Sequence, residues 1–222
     1  MVDSSHPGQG RVPSAEERVS PRAERIGLLG GTFDPPHLGH LDAAVRCRDA
    51  LDLDRVLLVV ANHPWQKAPT RPVTPAEDRW AMVVAAAEGL ERVEPCRIEI
   101  DRGGPSYTVD TVEELIARAR ADGRADPQLF VVVGADLVPT LPTWERSDDL
   151  RGKVTLVVVS RPNSPQVAAP PGWVVEHVEG DGVDVSSSGV RTLVAAGAPV
   201  EGLVPEAVIR CIRRRSLYAV GR

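Results

Sequence analysis

Three apolar, β-branched runs constrain the fold of this chain more than any other feature. Residues 55–61 read RVLLVVA, residues 129–133 read LFVVV and residues 153–159 read KVTLVVV. Such runs lack the alternation of a half-exposed strand and are typical of parallel strands that are covered on both faces. Helical patterns lie between them, including those at 38–50 and 107–121. This order predicts an α/β fold with a doubly wound parallel sheet.

Weaker patterns complete the predicted order of elements. Further strands are expected at 26–29, 96–100 and 173–177, and further helices at 74–88, 188–196 and 205–215. For the helix at 74–88, we expect Thr74 as the cap, Pro75 in the first turn and Glu77 closing a capping box. The last two helices predict a small C-terminal helical part within a single domain. Because ligands bind such sheets beyond the carboxyl ends of the strands, the loops that follow the strands should gather at one edge.

Composition divides the chain into a short extension and one domain. Residues 1–24 are rich in Ser, Pro, Gly, Glu and Arg and hold almost no large apolar side chains. Burial could not offset the entropy of ordering such a segment. We therefore expect a disordered extension, or residues translated from an upstream start codon, over 1–24. One compact domain is expected over 25–220, a length that can bury a sizeable core.

Charge and cysteine content argue against several classes of protein. A formal net charge of −5 gives no general attraction to nucleic acid or to anionic membranes. The sequence shows no signal peptide and no apolar stretch near the roughly 20 residues that span a bilayer. Cys47, Cys96 and Cys211 are far apart, which argues against a disulfide framework or a zinc site. We expect a cytoplasmic metabolic protein without nucleic-acid or membrane partners, and the sequence leaves homo-oligomer formation open.

The first predicted strand runs directly into eleven residues that combine glycine, histidine and a helix start. Residues 30–40 read GGTFDPPHLGH. Gly30 and Gly31 allow the backbone to approach a ligand closely, and the N–H groups of the following helix suit phosphate. His37 and His40 are three residues apart and therefore share one face of the first helical turn. Two imidazoles at this place can donate hydrogen bonds to a triphosphate.

This stretch resembles the GxFDPxHxGH signature of the nucleotidyltransferase superfamily, in which the HxGH element contacts ATP phosphates. The chain has no GxGxxG turn after the first strand and no GxxxxGK[ST] loop, so other nucleotide-binding motifs are unsupported. The resemblance implies a Rossmann-like nucleotidyltransferase fold. It also implies ATP contacts from Gly30, Gly31, Thr32, Phe33, His37 and His40.

A second motif, VSSSGVR at 185–191, precedes the predicted helix near residue 190. Serine hydroxyls cap helices, local N–H groups can hold anions, and Arg191 can fork onto phosphate oxygens. By itself this pattern is more typical of a serine-capped surface helix with a solvated arginine. It resembles the ISSTxxR element that closes the phosphate site of the same superfamily, which implies ATP contacts from Ser187, Ser188 and Arg191. Gly134 and Asp136 resemble its GxD element beside the ATP nucleoside, although Asp136 also suits a helix cap.

Several further segments resemble bacterial nicotinate-nucleotide adenylyltransferases over about residues 25–220. They are NHPWQK at 62–67, PSYT at 105–108, PTW at 142–144, LVPE at 203–206 and Tyr218. A pyridine ring needs an aromatic partner, which Trp144 can supply, and its carboxylate needs N–H donors, which the helix start at Tyr107 and Thr108 can supply. The resemblance implies acceptor contacts from Thr32, Asn62, Lys67, Tyr107, Thr108, Trp144 and Arg161.

The resemblance also implies a reaction. The phosphate of nicotinate mononucleotide would attack the α-phosphorus of ATP, giving nicotinate adenine dinucleotide and pyrophosphate in NAD biosynthesis. His37, His40 and Arg191 would be the catalytic residues, and Mg²⁺ would be bound through the ATP phosphates, with no metal site made of protein side chains alone. The alternatives are a phosphopantetheine adenylyltransferase-like enzyme and a catalytically silent nucleotide sensor. The choice between nicotinate and nicotinamide mononucleotide stays open at this point.

Overall fold

One parallel sheet of six strands forms the centre of the part of the chain that the structure describes. The structure is a computed structural model and describes residues 22–64, 72–160, 167–168, 170–180 and 183–219. The strands are β1 (Arg25–Gly31), β2 (Arg55–Val60), β3 (Val93–Cys96), β4 (Gln128–Gly134), β5 (Val154–Ser160) and β6 (Val174–Glu179). Their order in the sheet is β3-β2-β1-β4-β5-β6, and every neighbouring pair is parallel. The predicted parallel sheet is confirmed.

Helices cover both faces of this sheet. They are α1 (Leu38–Ala50), α2 (Ala76–Ala87), α3 (Ile98–Arg102), α4 (Thr108–Ala121), α5 (Ser147–Arg151), α6 (Ser187–Ala195) and α7 (Glu206–Arg215). One apolar cluster joins α1, α2, α6 and α7 to the sheet, and the other joins α3, α4 and α5 to its opposite face. Along β2, side chains alternate between the clusters, with Leu58 in the first and Leu57 in the second. The doubly wound arrangement and the C-terminal helical part are therefore confirmed.

The predicted strand at 96–100 is wrong beyond its first residue. β3 ends at Cys96, and Ile98 begins the short helix α3. The alternation of Ile98 and Ile100 looked like that of a strand, but one helical turn also sends these side chains to opposite apolar clusters. Gly103, with a φ of 73°, then ends the helix in a conformation that glycine tolerates best.

The predicted capping box at the start of α2 is also wrong. Pro75 holds the cap position, and no side chain caps this helix. Tertiary contacts replace the local box, because the Thr74 N–H donates to the carboxylate of Asp34 and the Thr74 carbonyl accepts from the side chain of Arg79. Glu77 lies in the first turn and forms an ion pair with Arg97 at 3.1 Å.

Residues 22–24, which the sequence assigned to the N-terminal extension, contact the fold. Arg22 forms an ion pair with Asp54 at 2.6 Å, and the Glu24 carbonyl accepts from the backbone N–H of Gln128 at the start of β4. Residues 1–21 lie outside the described part of the chain, so the extension up to that point stays a prediction.

Candidate active site

The chemistry-bearing loops meet where the strand order reverses, between β1 and β4. Both strands end at this edge of the sheet, with Gly31 and Gly134 as their last residues. A cavity of about 190 Å³ opens beside them. The predicted ligand residues that line it are Gly30, Gly31, Thr32, Tyr107, Thr108 and Trp144. The sheet thus places its ligand cavity at the topological switch point, as expected for this class of fold.

Gly30 and Gly31 have different surroundings. A Cβ atom added at Gly30 would meet no protein atom within 4 Å. At Gly31 it would lie 3.1 Å from Cζ of Phe33, whose ring is buried with 1% exposure. Gly30 therefore leaves space for something outside the protein, whereas Gly31 makes room for a core side chain. Because the Phe33 side chain belongs to the core, only its backbone could contact ATP.

His37 and His40 form a stacked pair at the N-terminus of α1. Their ring centroids are 3.6 Å apart and their planes differ by 21°. The Phe33 ring supports His40 from its edge, with centroids 4.9 Å apart. Nδ1 of His40 accepts from the backbone N–H of His37 at 3.2 Å. Since a neutral imidazole carries one hydrogen, Nε2 of His40 is then its hydrogen-bond donor.

The second motif is bonded directly to the first. The Ser187 hydroxyl donates to the carbonyl of Pro35 at 2.8 Å, and Nη1 of Arg191 donates to the carbonyl of Asp34 at 2.7 Å. Ser186 caps α6 by accepting from the backbone N–H of Gly189. These contacts join two stretches of chain that are about 150 residues apart. The histidines, the serine hydroxyls and Arg191 therefore gather around one loop, next to Thr32.

The two motifs and the cavity are neighbours rather than one enclosed space. His37, His40, Ser187, Ser188 and Arg191 do not line the cavity, whereas Thr32 does. The segment from Thr32 to Pro35 connects the cavity to the histidines and to the second motif. The site therefore has two parts, which we name by the contacts predicted for them: the phosphate part, formed by the two motifs, and the acceptor part, formed by the cavity.

Trp144, Tyr107 and Thr108 enter the acceptor part from two different elements. Trp144 follows a 3-10 helix at Ala135–Thr143, which the sequence did not predict, and its indole N–H donates to the hydroxyl of Thr140 at 3.2 Å. That contact fixes the orientation of the indole. Tyr107 is the cap residue of α4 and Thr108 is its first residue. Both lie at the positive end of the helix, which favours an anionic group.

Asn62 lies at the rim and does not line the cavity. Its side-chain amide donates to the carbonyl of Gly104 at 3.0 Å, and its backbone N–H donates to the hydroxyl of Ser106 at 2.8 Å. These bonds attach the loop after β2 to the start of α4. The other two predicted acceptor residues, Lys67 and Arg161, lie outside the described residues.

Asp136 is exposed in the first turn of the 3-10 helix, and Gly134 is the cap residue of that helix. A Cβ atom at Gly134 would lie 2.5 Å from Oδ1 of Asp136, so a side chain at this position would require the Asp136 carboxylate to move. Neither residue lines the cavity. A contact between Asp136 and a nucleoside stays a prediction.

Glu99 is a cavity residue that sequence reasoning missed. The residue is 7% exposed, and its carboxylate accepts from the hydroxyl of Thr111 at 2.7 Å and also bonds the side chain of Ser106. Burial raises the pKa of Glu99, while these two hydrogen bonds and nearby Arg102 oppose that increase and Asp110 adds to it. The single-turn helix α3 brings Glu99 to the cavity. Because the sequence predicted a strand instead of α3, it did not place Glu99 there.

Arg79, Asp34 and Tyr218 form a second network that the sequence did not reveal. Arg79 and Asp34 are each 1% exposed. Oδ1 of Asp34 accepts from the Tyr218 hydroxyl at 2.7 Å. Burial, together with the charge of Asp34, raises the pKa of Tyr218. Tyr218 was expected only as part of a resemblance, and the structure connects it to the loop that carries the histidines.

The described ranges contain no group of three or more His, Cys, Asp and Glu side chains that could hold a metal ion. None of the helices in these ranges is both long and apolar enough to cross a membrane.

Comparison with known proteins identifies the class to which this fold and site belong. Residues 28–193 match the family model described as Cytidylyltransferase-like. The solved structure of Plasmodium falciparum nicotinic acid mononucleotide adenylyltransferase complexed with NaAD superposes with a TM-score of 0.70. That match covers 88% of this chain and 97% of the other, at 13% identity, and therefore supports the fold alone. The chain is a member of the cytidylyltransferase-like class of nucleotidyltransferases.

Relatives of higher identity narrow this assignment. A Corynebacterium kroppenstedtii protein named "Probable nicotinate-nucleotide adenylyltransferase" is 40% identical over 204 residues, which cover 90% of this chain and 94% of that protein. A Shouchella clausii protein of the same name is 41% identical over 195 residues, covering 88% and 97%. The chain belongs to the nicotinate-nucleotide adenylyltransferase family.

Proposed function

We propose that this protein transfers the AMP part of ATP to nicotinate mononucleotide, giving nicotinate adenine dinucleotide and pyrophosphate in NAD biosynthesis. The observation that carries the proposal is the bonding of the second motif to the first. Ser187 and Arg191 donate to the carbonyls of Pro35 and Asp34, beside the stacked histidines. Donors from both motifs can therefore act on the same triphosphate, next to a cavity lined by the predicted acceptor residues Thr32, Tyr107, Thr108 and Trp144.

The phosphate part supplies donors to the triphosphate. His40 can donate from Nε2, because its Nδ1 already accepts from the backbone of His37. Nη1 of Arg191 donates to the Asp34 carbonyl, and a guanidinium group at this place suits phosphate oxygens. The hydroxyl of Ser188, which shares a hydrogen bond of 3.1 Å with that of Ser186, and the N-terminus of α6 could add further donors. Together they would neutralise charge as pyrophosphate leaves.

The acceptor part suits a pyridine carboxylate. Trp144, held by Thr140, gives an aromatic face for the ring. The start of α4 at Tyr107 and Thr108 offers N–H groups to the carboxylate. The carboxamide of nicotinamide mononucleotide is neutral. Only its oxygen could accept from those N–H groups, because its NH₂ group is itself a donor. We therefore propose nicotinate mononucleotide as the preferred acceptor.

The reaction needs no covalent intermediate. A phosphate oxygen of the mononucleotide forms a bond to the α-phosphorus of ATP, and the bond from that phosphorus to the bridging oxygen of the β-phosphate breaks. The nucleophile is already an anion, so no protein base has to remove a proton. Catalysis then consists of positioning and of charge stabilisation by His37, His40 and Arg191.

Nucleotidyltransferases generally use a divalent metal ion, and we propose that here it is Mg²⁺. The described residues hold no cluster that would form a protein cage for it. Mg²⁺ keeps several water ligands and commonly binds through substrate phosphates, so it would arrive with ATP. Its role would be to reduce the charge repulsion between the triphosphate and the incoming phosphate.

The proposal is tested by comparing acceptors side by side. Pyrophosphate release is measured with ATP, Mg²⁺ and either nicotinate mononucleotide, nicotinamide mononucleotide or phosphopantetheine. We expect the highest kcat/KM with nicotinate mononucleotide. A preference for phosphopantetheine would contradict the assigned acceptor. ATP binding without pyrophosphate release from any acceptor would contradict an enzymatic role.

A further inference from the structure

Arg79 is a buried cation whose donors are directed to backbone carbonyls of three separate segments. Its Nε donates to the carbonyl of Thr74 at 2.8 Å. Nη1 donates to the carbonyls of Thr32 at 2.9 Å and Ala61 at 2.6 Å, and Nη2 donates to that of Asn62 at 3.0 Å. The planar guanidinium group has the donor geometry to reach several acceptors at once, which a lysine ammonium lacks.

These bonds connect the two parts of the site beyond the ends of the strands. β1 ends at Gly31 and β2 at Val60, and the Ala61 N–H donates to the carbonyl of Gly31. One residue farther along the β1 loop, a single nitrogen of Arg79 joins Thr32 to Ala61. Arg79 therefore continues the connection between neighbouring strand ends where their backbone ladder stops.

A buried carboxylate balances the charge of Arg79. Oδ2 of Asp34 accepts from the backbone N–H of Thr74 at 3.4 Å, and the backbone carbonyl of Thr74 accepts from Arg79. The backbone of Thr74 thus lies between the two charged groups. Burial lowers the pKa of Arg79, and the charge of Asp34 opposes that decrease. An arginine remains charged in such surroundings, so the network keeps both charges and its hydrogen bonds.

We propose that Arg79 is a positioning residue for adenylyl transfer, which fixes the loop at Thr32 relative to the loop at Asn62. The inference rests on the proposed function, because the family resemblance implies contacts of Thr32 with both substrates and of Asn62 with the acceptor. In-line attack requires the acceptor phosphate and the α-phosphorus to be held at one relative geometry. A shift of about 1 Å in such an arrangement can cost roughly a hundredfold in rate.

Arg79→Lys tests this role, because it keeps the charge and removes the fork of donors. We expect kcat with nicotinate mononucleotide to fall by about tenfold or more, and KM for that acceptor to rise. The Kd of ATP, measured without acceptor, should stay within about threefold, since the phosphate donors are unchanged. A merely structural role would not separate kcat from ATP binding in this way.

Val83→Ala is the matched control, because Val83 is fully buried on the same helix and contacts the core rather than the site. Val83→Ala should lower the thermal midpoint without lowering kcat relative to the Kd of ATP. If Arg79→Lys does not fold, Arg79→Gln replaces it, since that variant buries no charge. Wild-type kcat and KM in a folded variant, a parallel loss of ATP binding, or failure of both variants to fold would each overturn the inference. Absence of transfer by the wild-type protein would instead contradict the proposed function.

Discussion

At the scale of single residues, a substitution at Gly30 should affect ligand binding without affecting the stability of the fold. A methyl group at this position meets no protein atom within 4 Å, and the position lines the cavity. We therefore expect Gly30→Ala to leave the thermal midpoint unchanged. It should lower kcat/KM by about tenfold, equivalent to roughly 1.4 kcal/mol of lost transition-state contact. Differential scanning calorimetry and steady-state kinetics measure both quantities, and full activity in Gly30→Ala would contradict the proposed close approach of a ligand.

His40 carries the prediction with the largest expected effect. Removing one preorganised donor to developing charge costs about a hundredfold or more in kcat. We expect His40→Ala to show such a loss in pyrophosphate release, with an unchanged circular dichroism spectrum. His177→Ala, on the exposed side of β6, is the control and should keep wild-type activity. Unchanged turnover in His40→Ala would exclude its role.

Glu99 predicts a specific pH dependence of stability. Its pKa is raised in the folded protein, chiefly by burial, so the native state holds this proton more tightly than the unfolded chain does. The resulting stabilisation is complete below the unfolded pKa of about 4.3 and is lost as the pH rises through the folded value. We therefore expect the free energy of unfolding of the wild type, relative to Glu99→Gln, to decrease with pH over this window. Urea titrations at several pH values measure it, and a constant difference would contradict the raised pKa.

Arg79 and Glu99 could not be predicted from the sequence, and the physical reason is the same for both. Arg79 donates to backbone carbonyls, and every residue type has such a carbonyl, so the sequence does not mark the partner residues. Glu99 bonds hydroxyls of residues on α4 and on the segment before it. In both cases, the partners come together only after the chain has folded. The histidines and Arg191, in contrast, lie within short motifs that can be recognised from the letters alone.

At the scale of elements, length decided which predictions succeeded. Strands buried on both faces, such as β2 and β5, have continuous apolar runs and were predicted almost to the residue. Helices α1 and α4 are long enough to show helical periodicity. Helices α3 and α5, with five residues each, are too short to show a period. The 3-10 helix contains two prolines, which are unusual inside a helix. The sequence therefore indicated motifs in this segment and predicted no helix there.

The cap of α6 gives a prediction at this scale. The Ser186 hydroxyl accepts from the backbone N–H of Gly189, and the helix it starts carries Ser187 and Arg191. Ser186→Ala should lower the free energy of unfolding by about 1 kcal/mol, because a helix donor loses its acceptor. Ser186→Asn retains a capping oxygen and should be close to the wild type. Equal loss in both variants, measured by urea unfolding, would show that the cap does not matter.

At the scale of the whole molecule, the topology brings distant parts of the sequence together at one edge of the sheet. The parallel sheet and the gathering of the strand-end loops at one edge could be predicted from the alternating pattern, whereas the strand order with its reversal between β1 and β4 was given only by the structure. The contacts of Ser187 with Pro35 and of Tyr218 with Asp34 could not, since each spans more than 150 residues. Their partners are a carbonyl and a buried carboxylate, which no local pattern marks.

We propose above all that both motifs act on one triphosphate and transfer its adenylyl group, which contains the α-phosphorus. The direct measurement follows radioactive phosphorus from ATP, labelled at either the α or the γ position, during incubation with nicotinate mononucleotide and Mg²⁺. We predict that the α label appears in nicotinate adenine dinucleotide and the γ label in pyrophosphate. Transfer of the γ label to the mononucleotide, or an α label that never enters a dinucleotide, would contradict it.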